Sequence, residues 1–157
     1  MSFIWPTSSL YSILVLFVKK KDGSLYLYVN FCSLNHIFKK NYYSLPLNSN
    51  LLDSPHQAQV YTKIDLCHAY HLVHITNGDK WKTPFKTYYR SFKWSVMLFS
   101  LTNASTAFQW FMNNIFSDLL DVYIMIYLND ILIYSNNMSK HHQHVKEILK
   151  CLCKALC

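Results

Sequence analysis

The chain has 157 residues, of which 52% are hydrophobic and 17% aromatic. That is enough apolar mass for a packed core and too much for a disordered tail. A net charge of +7 and a pI near 9.1 suit a polyanionic partner such as nucleic acid, although a basic surface without a partner carries the same charge.

The apolar stretch from Phe3 to Val18 precedes Lys19-Lys20-Lys21. A membrane span needs roughly 20 apolar residues, and a signal peptide carries its charges before the apolar run. This stretch is shorter, contains Pro6 and Ser12, and has its charges after it, so no membrane contact is expected. Leu14 to Val18 and Leu25 to Val29 alternate around Lys21-Asp22-Gly23-Ser24, which predicts a β-hairpin with a basic tip. Asn41 to Pro55 is rich in Asn, Ser and Pro and reads as loop, with a helical turn at Leu51. Val60 to Leu66 is a strand with Asp65 near its end. Trp81 to Thr87 and Ser91 to Phe99 read as two more paired strands. Asn103 to Leu120 is the strongest helix, capped by Asn103, with Ala107, Phe108, Phe111, Ile115 and Leu119 on one face. Val122 to Tyr127 and Ile131 to Tyr134 form a hairpin around Leu128-Asn129-Asp130, and Ser139 to Cys157 closes the chain as a helix. The order of elements predicts an α+β fold with a small, mostly antiparallel sheet backed by helices. The cysteines Cys32, Cys67, Cys151, Cys153 and Cys157 are odd in number and lack zinc-ligand spacing, so they read as free thiols in a reducing compartment.

Two apolar strands end in acids, at Tyr61-Thr62-Lys63-Ile64-Asp65-Leu66 and at Tyr127-Leu128-Asn129-Asp130-Ile131-Leu132. Side by side they would bring Asp65 and Asp130 together. Adjacent carboxylates repel and suit a site for divalent metal, where two ions roughly 3.5–4 Å apart clamp a nucleotidyl transfer. Spacing alone also allows an aspartate at a strand end and an ordinary Asn-Asp turn.

Four segments resemble, in order, the motifs of gypsy-type reverse transcriptases. Leu16 to Leu25 looks like the fingers hairpin. Tyr61 to Leu66 with Ala69-Tyr70-His71 is similar to the first aspartate motif. Phe99, Leu101-Thr102-Asn103-Ala104 and Phe108-Gln109 resemble the loop and helix beside the incoming nucleotide. Tyr127 to Ile133 looks like the Tyr-Leu-Asp-Asp hairpin. The resemblance runs from about Ser9 to Leu156.

It implies the fingers and palm of a right-hand polymerase, with a fingers hairpin at about 14–30 and a palm at about 57–157. Asp65, Asp130 and the backbone carbonyl of Leu66 would hold two magnesium ions. Lys20 would reach the triphosphate, Tyr70 would exclude a ribose 2′-hydroxyl, and Phe99 and Gln109 would lie at the nucleotide. For Tyr70 and Phe99, plain aromatic packing is the alternative. The implied partners are an RNA or DNA primer-template and deoxynucleoside triphosphates, in a cytoplasmic particle or the nucleus. No thumb or ribonuclease H segment is expected within the chain.

The sequence departs from the family where its chemistry is most demanding. Asn129 stands at the first aspartate of the hairpin motif, and Tyr26 stands where the family has an arginine. The first removes a carboxylate from the metal site, the second a bidentate phosphate contact. Leu10, Leu14, Leu98 and Ser105 replace prolines, Ser100 a glycine, Cys32 and Cys67 arginines, and Asn30 an aspartate. Each of these, and Asn129, is one C-to-T or G-to-A change away, as deamination of methylated cytosine in a silenced element produces. Arg90 is the only arginine among 15 Lys and Arg residues, in keeping with that pattern. His68, Ala69 and Leu72 do not fit it, and ordinary drift competes. The expectation is a pseudogene-like polymerase fragment without turnover. The alternatives are a noncatalytic nucleic-acid binder and a weak polymerase completed by a separate thumb.

Overall fold

A computed structural model describes residues 3–9, 11–43, 55 and 58–156. The expected turn at Leu51, and positions Leu10 and Cys157, lie outside the described residues. In chain order the elements are β1 (Ile4–Pro6), β2 (Ile13–Lys19), β3 (Leu25–Val29), α1 (Cys32–Ile37), β4 (Val60–Asp65), β5 (Pro84–Lys86), β6 (Ser91–Trp94), α2 (Ala104–Ile115), β7 (Ile124–Tyr127), β8 (Asp130–Ser135) and α3 (Met138–Leu156). The expected α+β class is what the structure shows. Among the described residues no helix is long and apolar enough to cross a membrane.

The chain divides into two compact units, Met1–Lys40 with Tyr70–Ala104, and Asn41–Ala69 with Ser105–Cys157. The first is built on a five-stranded sheet in the order β1-β6-β5-β2-β3. The expected hairpin is its outer pair, with Val15 opposite Val29 and Lys19 opposite Leu25. Its turn is set by local chemistry. Gly23 takes φ +84°, a conformation that costs glycine nothing. The Asp22 carboxylate accepts from Ser24 Oγ at 2.7 Å and Ser24 N at 2.9 Å, which holds its carboxyl below the ordinary range. Burial of Val29, Phe31, Phe85, Trp94, Val96 and Leu98 makes the core, with Ile13, Val15 and Leu27 packed against it.

The boundary of this unit differs from the expected palm at 57–157. Residues 70–104 group with the N-terminal segment because β5 and β6 are inner strands of its sheet. β5 also pairs in parallel with β2, through Ile13 opposite Phe85 and Leu14 opposite Lys86. The strands expected at 81–87 and 91–99 are shorter than predicted, since Lys80–Lys82 forms a 3-10 turn and β6 stops at Trp94.

The second unit holds a three-stranded antiparallel sheet in the order β4-β8-β7, with α3 packed on β8 and β4. Its buried residues include Phe108, Met112 and Phe116 of the α2 segment, Ile124 and Ile126 of β7, Ile131 and Ile133 of β8, and Ile148 and Leu152 of α3. Helix α2 ends at Ile115 rather than Leu120, and its buried stripe runs through Ala104, Phe108, Met112 and Phe116. The chain leaves the helix through a turn in which Leu119 N donates to Phe116 O at 2.9 Å, and Asp121 takes φ +61°. Asn103, expected to cap the helix, donates its side-chain amide to Lys39 O at 3.0 Å.

A buried polar chain ties α3 to the sheet. Thr62 Oγ1 lies 2.7 Å from His141 Nε2, and His141 Nδ1 lies 3.0 Å from Ser135 Oγ. Ser135 Oγ in turn lies 2.8 Å from His144 Nδ1. His144 stacks on Tyr123, with ring centroids 3.9 Å apart, and Tyr123 donates to Glu147 Oε2 at 2.8 Å. Burial and the Glu147 carboxylate push the Tyr123 hydroxyl well above its ordinary range.

Candidate functional site

Alternation along β4 turns Tyr61, Lys63 and Asp65 outward and leaves Thr62 and Ile64 partly buried. β8 runs antiparallel beside it, with Lys63 opposite Leu132, Ile64 opposite Ile131 and Asp65 opposite Asp130. Residues directly opposite share a face, so the two carboxylates project from the same side of the sheet. The backbone extends the pairing by one step, since Leu66 N donates to Asn129 O at 2.9 Å.

β7 and β8 are joined by a two-residue turn, Leu128-Asn129, closed by Tyr127 opposite Asp130. Leu128 has φ +54°, a strained conformation for a branched side chain. Gln109 of α2 holds it there. Its Oε1 accepts from Leu128 N at 2.7 Å, and its Nε2 donates to Ile126 O at 3.0 Å and Asn113 Oδ1 at 2.9 Å. Asn113 Nδ2 continues to the Tyr43 hydroxyl at 2.9 Å. The side chain expected to contact nucleotide is thus 1% exposed, and its amide is engaged in bracing the hairpin from within.

Each carboxylate has an internal partner. Asn129 Nδ2 donates to Asp65 Oδ1 at 2.8 Å, and Lys63 Nζ pairs with Asp130 Oδ2 at 3.0 Å. Lys63 is outside the set of residues expected from the sequence. Its place two residues before Asp65 on one strand puts it on the same face, a signal that period-two reading does contain. The Leu66 carbonyl accepts from Ala69 N at 3.3 Å.

These donors do not fit a pair of divalent ions. Two such ions bring four positive charges against two carboxylates, one already paired with an ammonium. The Asn129 amide, at the position where the resemblance implies a third carboxylate, gives its N–H to Asp65. Among the described residues there is no cluster of three or more His, Cys, Asp or Glu able to hold a metal.

The other expected residues belong to the first unit. Lys20 lies at the hairpin turn with its Nζ 5.6 Å from the centre of the Tyr26 ring, a cation–π contact. Tyr70 and Phe99 pack edge to face with centroids 5.2 Å apart, and Phe99 is 69% exposed. Asn35 fixes the loop after Phe99, donating to Ser100 O at 2.8 Å and accepting from Thr102 N at 2.9 Å.

Residues 18–156 match the family model described as reverse transcriptase (RNA-dependent DNA polymerase). The chain is 38% identical over 136 residues to the transposon Tf2-3 polyprotein of Schizosaccharomyces pombe and 37% identical to its Tf2-7 polyprotein. Each match covers 87% of this chain and 10% of the relative, so the chain spans about a tenth of their length. Among solved structures, prototype foamy virus protease-reverse transcriptase superposes with a TM-score of 0.87 at 18% identity. That superposition covers 98% of this chain and 20% of the viral one. The foamy viral enzyme in complex with RNA/DNA hybrid also gives 0.87, at 17% identity over 98% and 20% of the two chains. The order of motifs, the carboxylates paired across neighbouring strands and the match over residues 18–156 place this chain in the reverse transcriptase family.

Proposed function

We propose that this chain is the fingers and palm of an RNA-directed DNA polymerase from a gypsy-type retrotransposon polyprotein, and that its palm site no longer turns over. The ancestral reaction joins a deoxynucleoside triphosphate to a primer end on an RNA or DNA template, with two magnesium ions at the palm. Asp65 and Asp130 are the remaining acids of that site. Lys20 is the residue for the triphosphate, Tyr70 for excluding the 2′-hydroxyl and Phe99 for the sugar. The retrotransposon polyproteins among the relatives support the source, and the foamy viral complexes with double-stranded DNA and with RNA/DNA hybrid support the template class.

The observation that carries the loss of turnover is the Asn129 amide bonded to Asp65, with Lys63 on Asp130. Phosphoryl transfer depends on charge placed to meet the charge that develops, and an amide supplies none. Tyr26 removes a second positive contact, and the transition-compatible departures support a decayed copy.

Primer extension tests this. The unmodified chain gives no template-dependent extension with magnesium or manganese, and Asn129→Asp alone gives none, because the phosphate contact at Tyr26 stays absent. Extension by the unmodified chain that Asp65→Ala abolishes would show a working polymerase. Extension only when a thumb chain is added would favour the weak polymerase instead. A second reading, noncatalytic binding of nucleic acid, is favoured by the net charge of +7 and by the Lys19-Lys20-Lys21 turn.

A further inference from the structure

Among the described residues β3 is the last strand of its sheet, pairing with β2 on one side only. The hairpin turn fixes which of its backbone groups are used. Lys20 N donates to Ser24 O at 2.8 Å and Lys20 O accepts from Gly23 N at 3.0 Å, so both backbone groups of Lys20 are turned toward the returning strand. Antiparallel ladders alternate, which makes Val18 with Tyr26 and Leu16 with Tyr28 the next hydrogen-bonded pairs. Leu25, Leu27 and Val29 therefore turn their N–H and C=O groups away from β2, toward the open edge. Proteins usually guard such an edge with a charge, a proline or a bulge. Leu25-Tyr26-Leu27-Tyr28-Val29 has none of these, and Leu25, Tyr26 and Tyr28 are 66%, 49% and 43% exposed. The outer side of β2, by contrast, is joined to β5 at Ile13 and Leu14 and ends in Lys19.

We propose that the β3 edge is an association surface whose partner is a second copy of this chain, paired antiparallel about a twofold axis at Leu27. The strand reads almost identically in both directions, which identifies the partner. Antiparallel pairing about its centre sets Leu27 against Leu27, Tyr26 against Tyr28 and Leu25 against Val29 of the second copy. The backbone phase agrees with the side-chain pattern. Leu25, Leu27 and Val29, whose backbone groups face the edge, meet each other as hydrogen-bonded pairs, and the tyrosines fall at the intervening positions, where side chains approach most closely. Aromatic pairs there are favourable, and no like charges oppose one another. The two open edges are consumed by each other, so the assembly closes at two copies.

Sedimentation equilibrium of the full chain over a dilution series tests this. A reversible monomer–dimer equilibrium is expected. A chain that stays monomeric throughout, or that grows past two copies, overturns the proposal. Tyr26→Lys with Tyr28→Lys sets lysine against lysine at both contacts and weakens the dimer about tenfold or more. Tyr26→Lys with Tyr28→Glu sets lysine against glutamate at both and restores it. Both sites are exposed, and circular dichroism reports whether each variant is folded. A folded Lys/Lys variant that associates like the unmodified chain overturns the proposal. So does a folded Lys/Glu variant that remains monomeric, whether or not the Lys/Lys variant folds.

Discussion

Asp65 on β4 stands directly opposite Asp130 on β8, and the amide of Asn129 reaches across to Asp65 at 2.8 Å. Two carboxylates on one face would repel. Here the Asn129 donor and the Lys63 ammonium offset that repulsion.

Asn129→Asp removes that donor and adds a charge. Manganese affinity, read by electron paramagnetic resonance, is therefore expected to rise about tenfold or more, equivalent to roughly 1.4 kcal/mol. Adding Lys63→Met raises it further by removing the competing ammonium. In metal-free buffer the same Asn129→Asp variant melts below the unmodified chain. Equal manganese affinity in all three proteins would rule out this account of the site.

Gln109→Leu leaves the N–H of Leu128 and the carbonyl of Ile126 without their partners in the interior. A buried polar group without a partner costs roughly 1–3 kcal/mol, so urea unfolding should show a loss of at least ~2 kcal/mol. Amide exchange should quicken first at Leu128, because the strained turn loses its tether. A loss below about 0.5 kcal/mol, within the ordinary range for surface changes, would mean the brace is idle.

Lys19, Lys20 and Lys21 form the basic tip of the first hairpin. If that tip holds a phosphate backbone, replacing all three with alanine weakens binding to an RNA/DNA hybrid. It also flattens the salt dependence, by ~0.9 in the log–log slope for each phosphate that the variant no longer neutralises. An unchanged slope would place the phosphate-binding surface elsewhere.

Burial holds the His144 imidazole below the ordinary histidine range, helped by nearby His141 and Lys140. Glu147 and a hydrogen bond to the Tyr134 backbone act in the opposite direction. A depressed value in the fold means the unfolded chain takes up the proton more readily. The resulting stability is complete above about pH 6.5, the unfolded histidine value, and is lost as pH falls through the lower folded value. His144→Phe keeps the stack on Tyr123 without the titration. Its melting temperature should fall less steeply on acidification than that of the unmodified chain. Parallel slopes would assign the acid sensitivity to other groups.

The parts legible in the sequence are those fixed by neighbours along the chain. The first hairpin follows from Asp22-Gly23-Ser24, whose turn is made by contacts two residues apart. The Asp65–Asp130 pair follows from two apolar strands, each carrying an acid at one end. The parallel pairing of Ile13 with Phe85 joins segments distant in sequence, and no local pattern announces it. It is also why residues 70–104 join the first unit. Gln109 escapes sequence reasoning because its position on α2 allows either a nucleotide or the hairpin backbone as partner. The bond to Leu128 depends on where the hairpin lies, which no local pattern on α2 announces.

The Ser135 hydroxyl has one proton and two histidine neighbours, Nδ1 of His141 and Nδ1 of His144. It can donate to only one ring, and a second ring must then donate to it. When the hydroxyl donates to one of two neutral rings, the rings are opposite tautomers, one protonated at Nδ1 and the other at Nε2. The choice at His141 passes on to Thr62, which donates to a bare Nε2 or accepts from a protonated one. A proton added to the ring that accepts from Ser135 would leave both rings donating to the same oxygen and the hydroxyl hydrogen with no ring to receive it. In the neutral arrangement the fastening between α3 and the sheet has a direction, set by which ring receives the Ser135 proton.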